Sequence, residues 1–575
     1  MQTPLLTSDS LADHSNSNST SGSQQTSPHG AVQSTCESTQ GDEQVVLRVS
    51  RGPHNDTDGH CDGGSDGGSE ISTGDVPMSM NEALEDIVHA VWPQITVIFC
   101  RLLIMATDTA VVGRIGTDEL AAAGFANMII QLSVQTIWAG CGEGLIALTS
   151  QAMGAGNRFL AGVWLEIACV VALIFAMPIG VCWWYTGEIL RIVKLPGSET
   201  TNERVINLAT RFGRLSLVWL LPDVLTGCFS QWINGLDRVA PTVPVHIFFV
   251  IFNLCSNIVL VHGIGSWNGL GFDGSPLATA TTTLVRFVVL VVYMRNHLPK
   301  GVYSGFSLQH FEKDRILAFM GQFGPNASTA ILEQAQIVVL TIFIAAFGEK
   351  QLAAHTLMAN TFDLFTAALY GMTEGGSMSI GRELGRGHPK RALALSKYLV
   401  IAMSVVALVV TTLFIVFRNQ IGAVYNSDPE VIEYAAQLAI VTAASYFLIT
   451  LTFASYAVLQ GQARPLAAAL AMVGGVWVIG LPTSYMLCFK WHAGFLGAWE
   501  GSNIGYFFMT IIMIFAVYHS DWDKIAEEAR ERAEVESLEY QQACTGDDYE
   551  EAGESSEDVL NAEDRLSQQT TPLLD

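Results

Sequence analysis

Charge is scarce in this chain. Charged residues make up 14% of 575, and half of the residues are hydrophobic. Soluble domains carry roughly 25% charged residues, so a soluble enzyme with one core is excluded. The ten cysteines are scattered and show neither metal-ligand spacing nor a disulfide framework. No GxxxxGK[ST] segment is present, which argues against an ATP-driven machine. The apolar stretches hold no convergent His, Ser or metal cluster of the kind an integral enzyme needs. The N-terminal stretch lacks a basic region followed by an apolar core, so the segment starting near Leu84 is expected to act as a signal-anchor. The net charge of −25 is concentrated at the two ends, and no nucleic-acid partner is expected.

What is abundant is apolar sequence in runs near the ~20 residues a bilayer helix needs. Twelve runs are read, from 84–112 to 496–518. They predict an all-α membrane protein of twelve transmembrane helices. Residues 1–80 form a tail too poor in apolar residues to fold. Residues 81–297 form a first lobe of six helices, 298–315 a linker loop, 316–518 a second six-helix lobe, and 519–575 an acidic tail. A short polar helix is expected over 522–543. One set of loops carries Arg158, Arg238, Arg295, Lys300, Lys313, Arg315, Arg386, Lys390, Arg391 and Arg464, and the opposite set carries fewer basic residues. The positive-inside rule then places both termini in the cytosol. Each terminus also contains TPLL without the usual upstream acidic residue, which leaves the plasma membrane and a vacuolar or endosomal membrane both open.

The halves are copies. GTDELAAAGFANM (116–128) resembles GEKQLAAHTLMAN (348–360), and WAGCGEGLIALTSQAMGAG (138–156) resembles LYGMTEGGSMSIGRELGRG (369–387). The second pair aligns without a gap: Gly140 with Gly371, Glu143 with Glu374, Gly144 with Gly375, Gly154 with Gly385, Gly156 with Gly387. Trp92-Pro93 matches Gly324-Pro325, and QWINGLDRVAP (231–241) echoes VLQGQARP (458–465) more faintly. Six spans per copy give both copies the same topology, so a pseudo-twofold axis along the membrane normal relates the bundles.

GRIGTDELAAAGFA, SQAMGAGN, LAAHTLMAN and GRELGRGHPKRALALS, at these spacings, resemble the multidrug and toxic compound extrusion (MATE) family in its eukaryotic form, over about residues 82–518. The resemblance implies a secondary antiporter that exchanges H⁺ or Na⁺ for organic compounds, often cations, by rocking its two lobes around a central cavity.

Six intramembrane carboxylates are the candidate coupling and substrate residues, because an ionisable group there is costly and belongs in the protein interior or in water. Asp108, in IMATDTAVVG, matches the first-helix aspartate of prokaryotic members, which the resemblance links to cation coupling. Glu333, in STAILEQAQ, matches the first glutamate of the family's E-W-W pattern, although Gln334 and Ala335 replace the tryptophans. Glu143 and Glu374 occupy the duplicated position about ten residues, or ~15 Å, from the cytosolic end. They serve as proton carriers or as static interhelical hydrogen-bonding groups. Asp363 lies eleven residues before Glu374, on the same helical face, and the two form one stripe toward the cavity. Asp223 follows Pro222, whose missing N–H frees a backbone carbonyl. Arg101 occupies the position related by the repeat to Glu333, and the two are expected to form a gating or structural ion pair.

The expected activity is export or sequestration of organic, cationic compounds in exchange for protons. No cofactor is expected, H⁺ is the coupling ion, and the protein is expected to act as a monomer in the bilayer. Sodium is less favoured, because segment 431–459 has no carboxylate after Glu433. The rivals are an exporter of organic acids served by Arg101, a lipid-linked-sugar flippase, and a non-transporting scaffold.

Overall fold

A computed structural model describes residues 78–193, 203–297, 302 and 305–533. The expectations for 1–77 and 534–575, the terminal TPLL segments included, lie outside the described residues. The described chain is helical, and no strand forms within it. Twelve long helices follow one another: α1 Met80–Gly113, α2 Thr117–Gly154, α3 Arg158–Trp184, α4 Glu203–Gly235, α5 Ala240–His262, α6 Gly271–His297, α7 Lys313–Ala345, α8 Glu349–Gly385, α9 Pro389–Val416, α10 Pro429–Gly461, α11 Pro465–Lys490 and α12 Leu496–Tyr518.

Eleven of these are long and apolar enough to cross a bilayer, and α8 is the exception. It carries Asp363, Glu374, Arg382 and Glu383, and it turns most of its length toward other helices instead of lipid. Local chemistry sets the boundaries. Ser79, Asn157 and Asp428 each accept a backbone N–H in the first turn of the helix that follows, and Pro429 fills a first-turn position where no N–H is needed. The helix expected over 522–543 is present through 533. It is docked to the bundle: Ile525, Ala526 and Ala529 are buried, and the Asn157 amide donates to the Ala533 carbonyl at 2.8 Å.

Each half has its own core, and each core borrows from the other half. Phe319, Phe323 and Ala327 of α7 complete the core of the first lobe. Ala83, Ile87 and Val91 of α1, with Ile95 packed against them, complete the core of the second.

The repeated glycines show what the duplication is for. A Cβ on Gly140 would stand 2.6 Å from the Phe323 ring of α7, and one on Gly371 would stand 2.7 Å from the Ile95 backbone of α1. Gly144 lies against Gln322, and its match Gly375 lies against Ala90. Where α2 crosses α8, a Cβ on Gly154 would be 2.1 Å from the Arg382 carbonyl oxygen, and one on Gly385 would be 2.0 Å from that of Gln151. Small residues let backbones approach this closely in a membrane. The faint third echo is also real. Asp237 and Ala463, equivalent positions after α4 and α10, are both left-handed, at φ 57° and 55°, the usual way to end a helix.

Candidate functional site

The lobes meet along α1, α2, α7 and α8, and the Arg382 end of the seam is shut. Arg382 of α8 donates to both oxygens of Asp86 on α1, at 2.6 and 2.9 Å, and also to Asp237 after α4. Arg391 reaches Glu82 at 2.7 Å. At the position equivalent to Arg382, Gln151 donates across the seam to the Gly461 carbonyl at 2.9 Å. The opposite end carries ion pairs made within a lobe, such as Arg204 with Glu119 at 3.0 Å and Lys350 with Glu430 at 2.9 Å.

Deeper in the seam lie the two repeat glutamates, within electrostatic reach of one another. The turn Trp138–Glu143 is wound as π-helix. One extra residue per turn displaces Glu143 from regular α register, and such turns recur at functional sites. Gly142 lies against Gln231 of α4, where a Cβ would be 2.9 Å from its side chain. Gln231 and Asn234 in turn donate to the two oxygens of Glu374, at 3.3 and 3.4 Å. Glu143 is near enough to feel the Glu374 charge, and one of its carboxylate oxygens is buried without a hydrogen-bond partner in the protein.

Beside this pair the first lobe holds a cavity. Its walls include Gln94, Arg101, Trp138, His246, Arg286 and Glu374. Arg101 lies over the Trp138 ring, 3.7 Å from its centre, and donates to Gln135 at 3.2 Å. Arg286 reaches Asp223 at 3.4 Å. Asp108 stands apart, between α1, α5 and α6: Asn257 donates to one oxygen at 2.7 Å and Thr279 to the other at 3.0 Å. Asn253 accepts from the same Asn257 amide. Asn253 and Asn257 therefore belong to the Asp108 site.

In the second lobe, the Tyr370 hydroxyl donates to Glu333 at 3.4 Å. Asp363 and Tyr506 lie within electrostatic reach of Glu333, and Tyr506 is anchored on Gln336 at 3.0 Å.

Two sequence expectations change here. Among the described residues Arg101 and Glu333 form no ion pair, because Arg101 is held by Trp138 and Gln135 in the first lobe while Glu333 turns to Tyr370. The ions that tie the lobes are instead Arg382, Asp86 and Asp237. The single stripe of Asp363 and Glu374 is also divided: Glu374 lines the cavity, and Asp363 is exposed away from it. Arg286 was not singled out in the sequence, although a lone arginine in TTTLVRFVVLVV carries the same signal that marks the carboxylates.

A two-lobed helical bundle with a duplicated, glycine-lined seam and ionisable groups sunk in its middle defines a membrane transporter. The comparisons name the family. The MatE family model matches residues 93–259 and 325–486, more than half of the chain, so the protein belongs to the MatE family. It is 24% identical over 465 residues to Protein DETOXIFICATION 16 of Arabidopsis thaliana, covering 79% of this chain and 92% of the relative. Multidrug and toxin extrusion protein 1 of Xenopus tropicalis is 22% identical, with 80% and 78% covered. The crystal structure of the eukaryotic MATE transporter AtDTX14 superposes with a TM-score of 0.73 at 20% identity, covering 79% of this chain and 99% of that one. The protein is thus a multi-pass membrane transporter of small organic compounds and not an enzyme.

Proposed function

We propose that the protein is a proton-coupled antiporter that moves organic compounds bearing positive charge out of the cytosol by alternating access. The placing of Glu143 and Glu374 within electrostatic reach of one another across the lobe seam supports this reading. Like charges within electrostatic reach repel, so a shut seam favours a proton on one of the two. Opening the Arg382 end separates the lobes, and with them the two carboxylates, and releases that proton. A proton taken from the far side is thereby delivered inward once per cycle. In the shut state the substrate site communicates with the far side, and the termini and the Arg382 end are cytosolic. Sodium fits less well, because a metal ion wants several oxygen ligands and the oxygens of Glu374 are already taken by amide donors.

At Glu333 a proton and an organic cation compete for one carboxylate, and that competition couples the two fluxes. Asp108, held by Asn257 and Thr279, is a third proton site and reports to α1, α5 and α6. Organic acids alone would not compete with a proton, which disfavours the anion-exporter reading.

The test uses the full chain in liposomes with an imposed pH gradient and an organic cation such as benzyltrimethylammonium. Cation-evoked proton movement is expected in wild type. It should fall at least about tenfold in Glu143→Gln and in Glu374→Gln, with cation binding retained. Proton movement that persists in both variants would refute the proposal, and Na⁺-dependent movement without a pH gradient would replace the proton with sodium.

A further inference from the structure

The chain beyond α12 stays on the bundle. The segment 522–533 is helical, and Asp521 caps it by accepting the Lys524 backbone N–H at 3.2 Å. Trp522, Ile525, Ala526, Ala529 and Ala533 fall on one stripe at helical spacing and are buried or half-buried. Asp523, Lys524, Glu527, Glu528 and Glu531 are exposed. The helix lies against the protein and turns a polar back to water.

Its two ends belong to different lobes. Ile525 and Ala526, with Trp522 packed beside them, are part of the second-lobe core, whereas Ala533 is part of the first-lobe core. The root is tied to the second lobe again through Ser520, which accepts from Arg464 at 2.8 Å. The tip is tied to the first lobe by the Asn157 amide, which donates to the Ala533 carbonyl at 2.8 Å. At 1.5 Å per residue the helix crosses about 18 Å between these anchors.

The place it crosses is specific. Gly156-Asn157 and Gly387-His388 are equivalent turns of the two repeats, and each follows the point where α2 crosses α8. The helix touches both turns: a Cβ on Gly387 would stand 2.8 Å from Cδ of Arg530, and Asn157 holds Ala533. Both turns lie at the Arg382 end, so the helix bridges the lobes where the seam is shut. Its anchors are unequal. The root is held by Trp522, Ile525, Ala526 and the Arg464 bond, the tip by Ala533 and the Asn157 amide. A helix this short is marginal alone in water, so its last turn frays once the tip is released.

We propose that 522–533 is a releasable strap across the Arg382 end, rooted in the second lobe and latched to the first through Ala533 and Asn157. The latch must let go before that end can open. The strap adds to the Arg382 ion pairs and sets how often the end opens, which makes the segment after α12 a regulatory element of transport. The inference goes beyond the antiport reading and does not depend on which ion is exchanged.

The test reads opening in the purified full chain. The readout is the rate at which a maleimide reaches Ser150→Cys, a buried position of α2 against Gly381 of α8, with the modified residue identified by peptide mass. Ala533→Glu places a charge on the buried tip and should raise the rate about tenfold. Asn157→Asp keeps the oxygen that accepts the Leu160 N–H at 2.9 Å but loses the donor to Ala533. It should raise the rate several-fold, and it serves if Ala533→Glu does not fold. Glu527→Gln, on the exposed back, should change nothing. Hydrogen exchange separates a latch from a static plug. In Arg382→Gln the amides of 530–533 should exchange faster while those of Ile525 and Ala526 stay protected. Unchanged labelling in both latch variants overturns the inference, as does an equal rise in Glu527→Gln. So does exchange that stays constant throughout 522–533 while the seam labels faster.

Discussion

Arg382 holds the shut end of the seam, and its removal should open that end measurably. Its side chain is 14% exposed and donates to Asp86 at 2.6 and 2.9 Å and to Asp237. Hydrogen bonds to charged groups contribute about 1.5–3 kcal/mol each. The carboxylates are 26% and 31% exposed, so solvent screening places each contact near the low end. Losing ~1.5–3 kcal/mol from the shut state raises the open population about 10- to 100-fold. Ser150 offers the probe position. It is fully buried on α2, where a Cβ on Gly381 of α8 would touch its hydroxyl. In a Ser150→Cys background, reaction with a membrane-impermeant maleimide requires the seam to part. When opening and closing are fast, the labelling rate follows the open population. Arg382→Gln should raise that rate about 10- to 100-fold, and Asp86→Asn and Asp237→Asn should each give a smaller rise. An unchanged rate in a well-folded Arg382→Gln variant would show that the glycine-packed backbone contacts hold the end shut without the ion pairs.

Two further outcomes follow from the same geometry. Gly385→Leu should keep the lobes apart at the Arg382 end, because even a Cβ would stand 2.0 Å from the Gln151 carbonyl; the Ser150→Cys labelling rate should rise and transport in liposomes should be lost, whereas normal transport would mean the shut state is not on the cycle. Asp108→Asn should leave the melting temperature within a few degrees of wild type, because Asn257 keeps its bond to the Asn253 carbonyl, yet cut cation-evoked proton movement at least about tenfold; a large drop in melting temperature with full coupling would make Asp108 a structural group.

Much of the fold was legible because a bilayer leaves a short menu. Apolar runs of helical length, a matched pair of copies and an even number of spans define two bundles with little ambiguity. The glycines were legible as a pattern but not as contacts. Only the structure shows that Gly140 and Gly371 do the same job on opposite sides of the seam. The carboxylates were legible for a related reason: an ionisable group in an apolar helix stands out whatever it does. Their partners were not, because contacts such as Glu374 with Asn234 and Asp108 with Thr279 join residues more than a hundred positions apart. The Arg101–Glu333 pair failed for an instructive reason. Repeat equivalence predicts that two residues occupy related places, which sets them across an axis from one another but does not set them in contact. Glu143 and Glu374, also equivalent, do lie within electrostatic reach of one another. Arg382 escaped notice because a basic residue near a helix end looks like a topology signal, and its service as a clasp appears only when Asp86 and Asp237 arrive from the other lobe.

The two equivalent clasps at the shut end differ in kind. On one side of the pseudo-twofold axis the tie is ionic, Arg382 to Asp237; on the other it is a neutral amide, Gln151 to a backbone carbonyl. Salt screens the first and hardly touches the second. A door with one magnetic catch and one plain hinge does not fall open evenly. Raising ionic strength is expected to loosen the ionic flank first, which would bias opening toward a swing about the Gln151–Gly461 side.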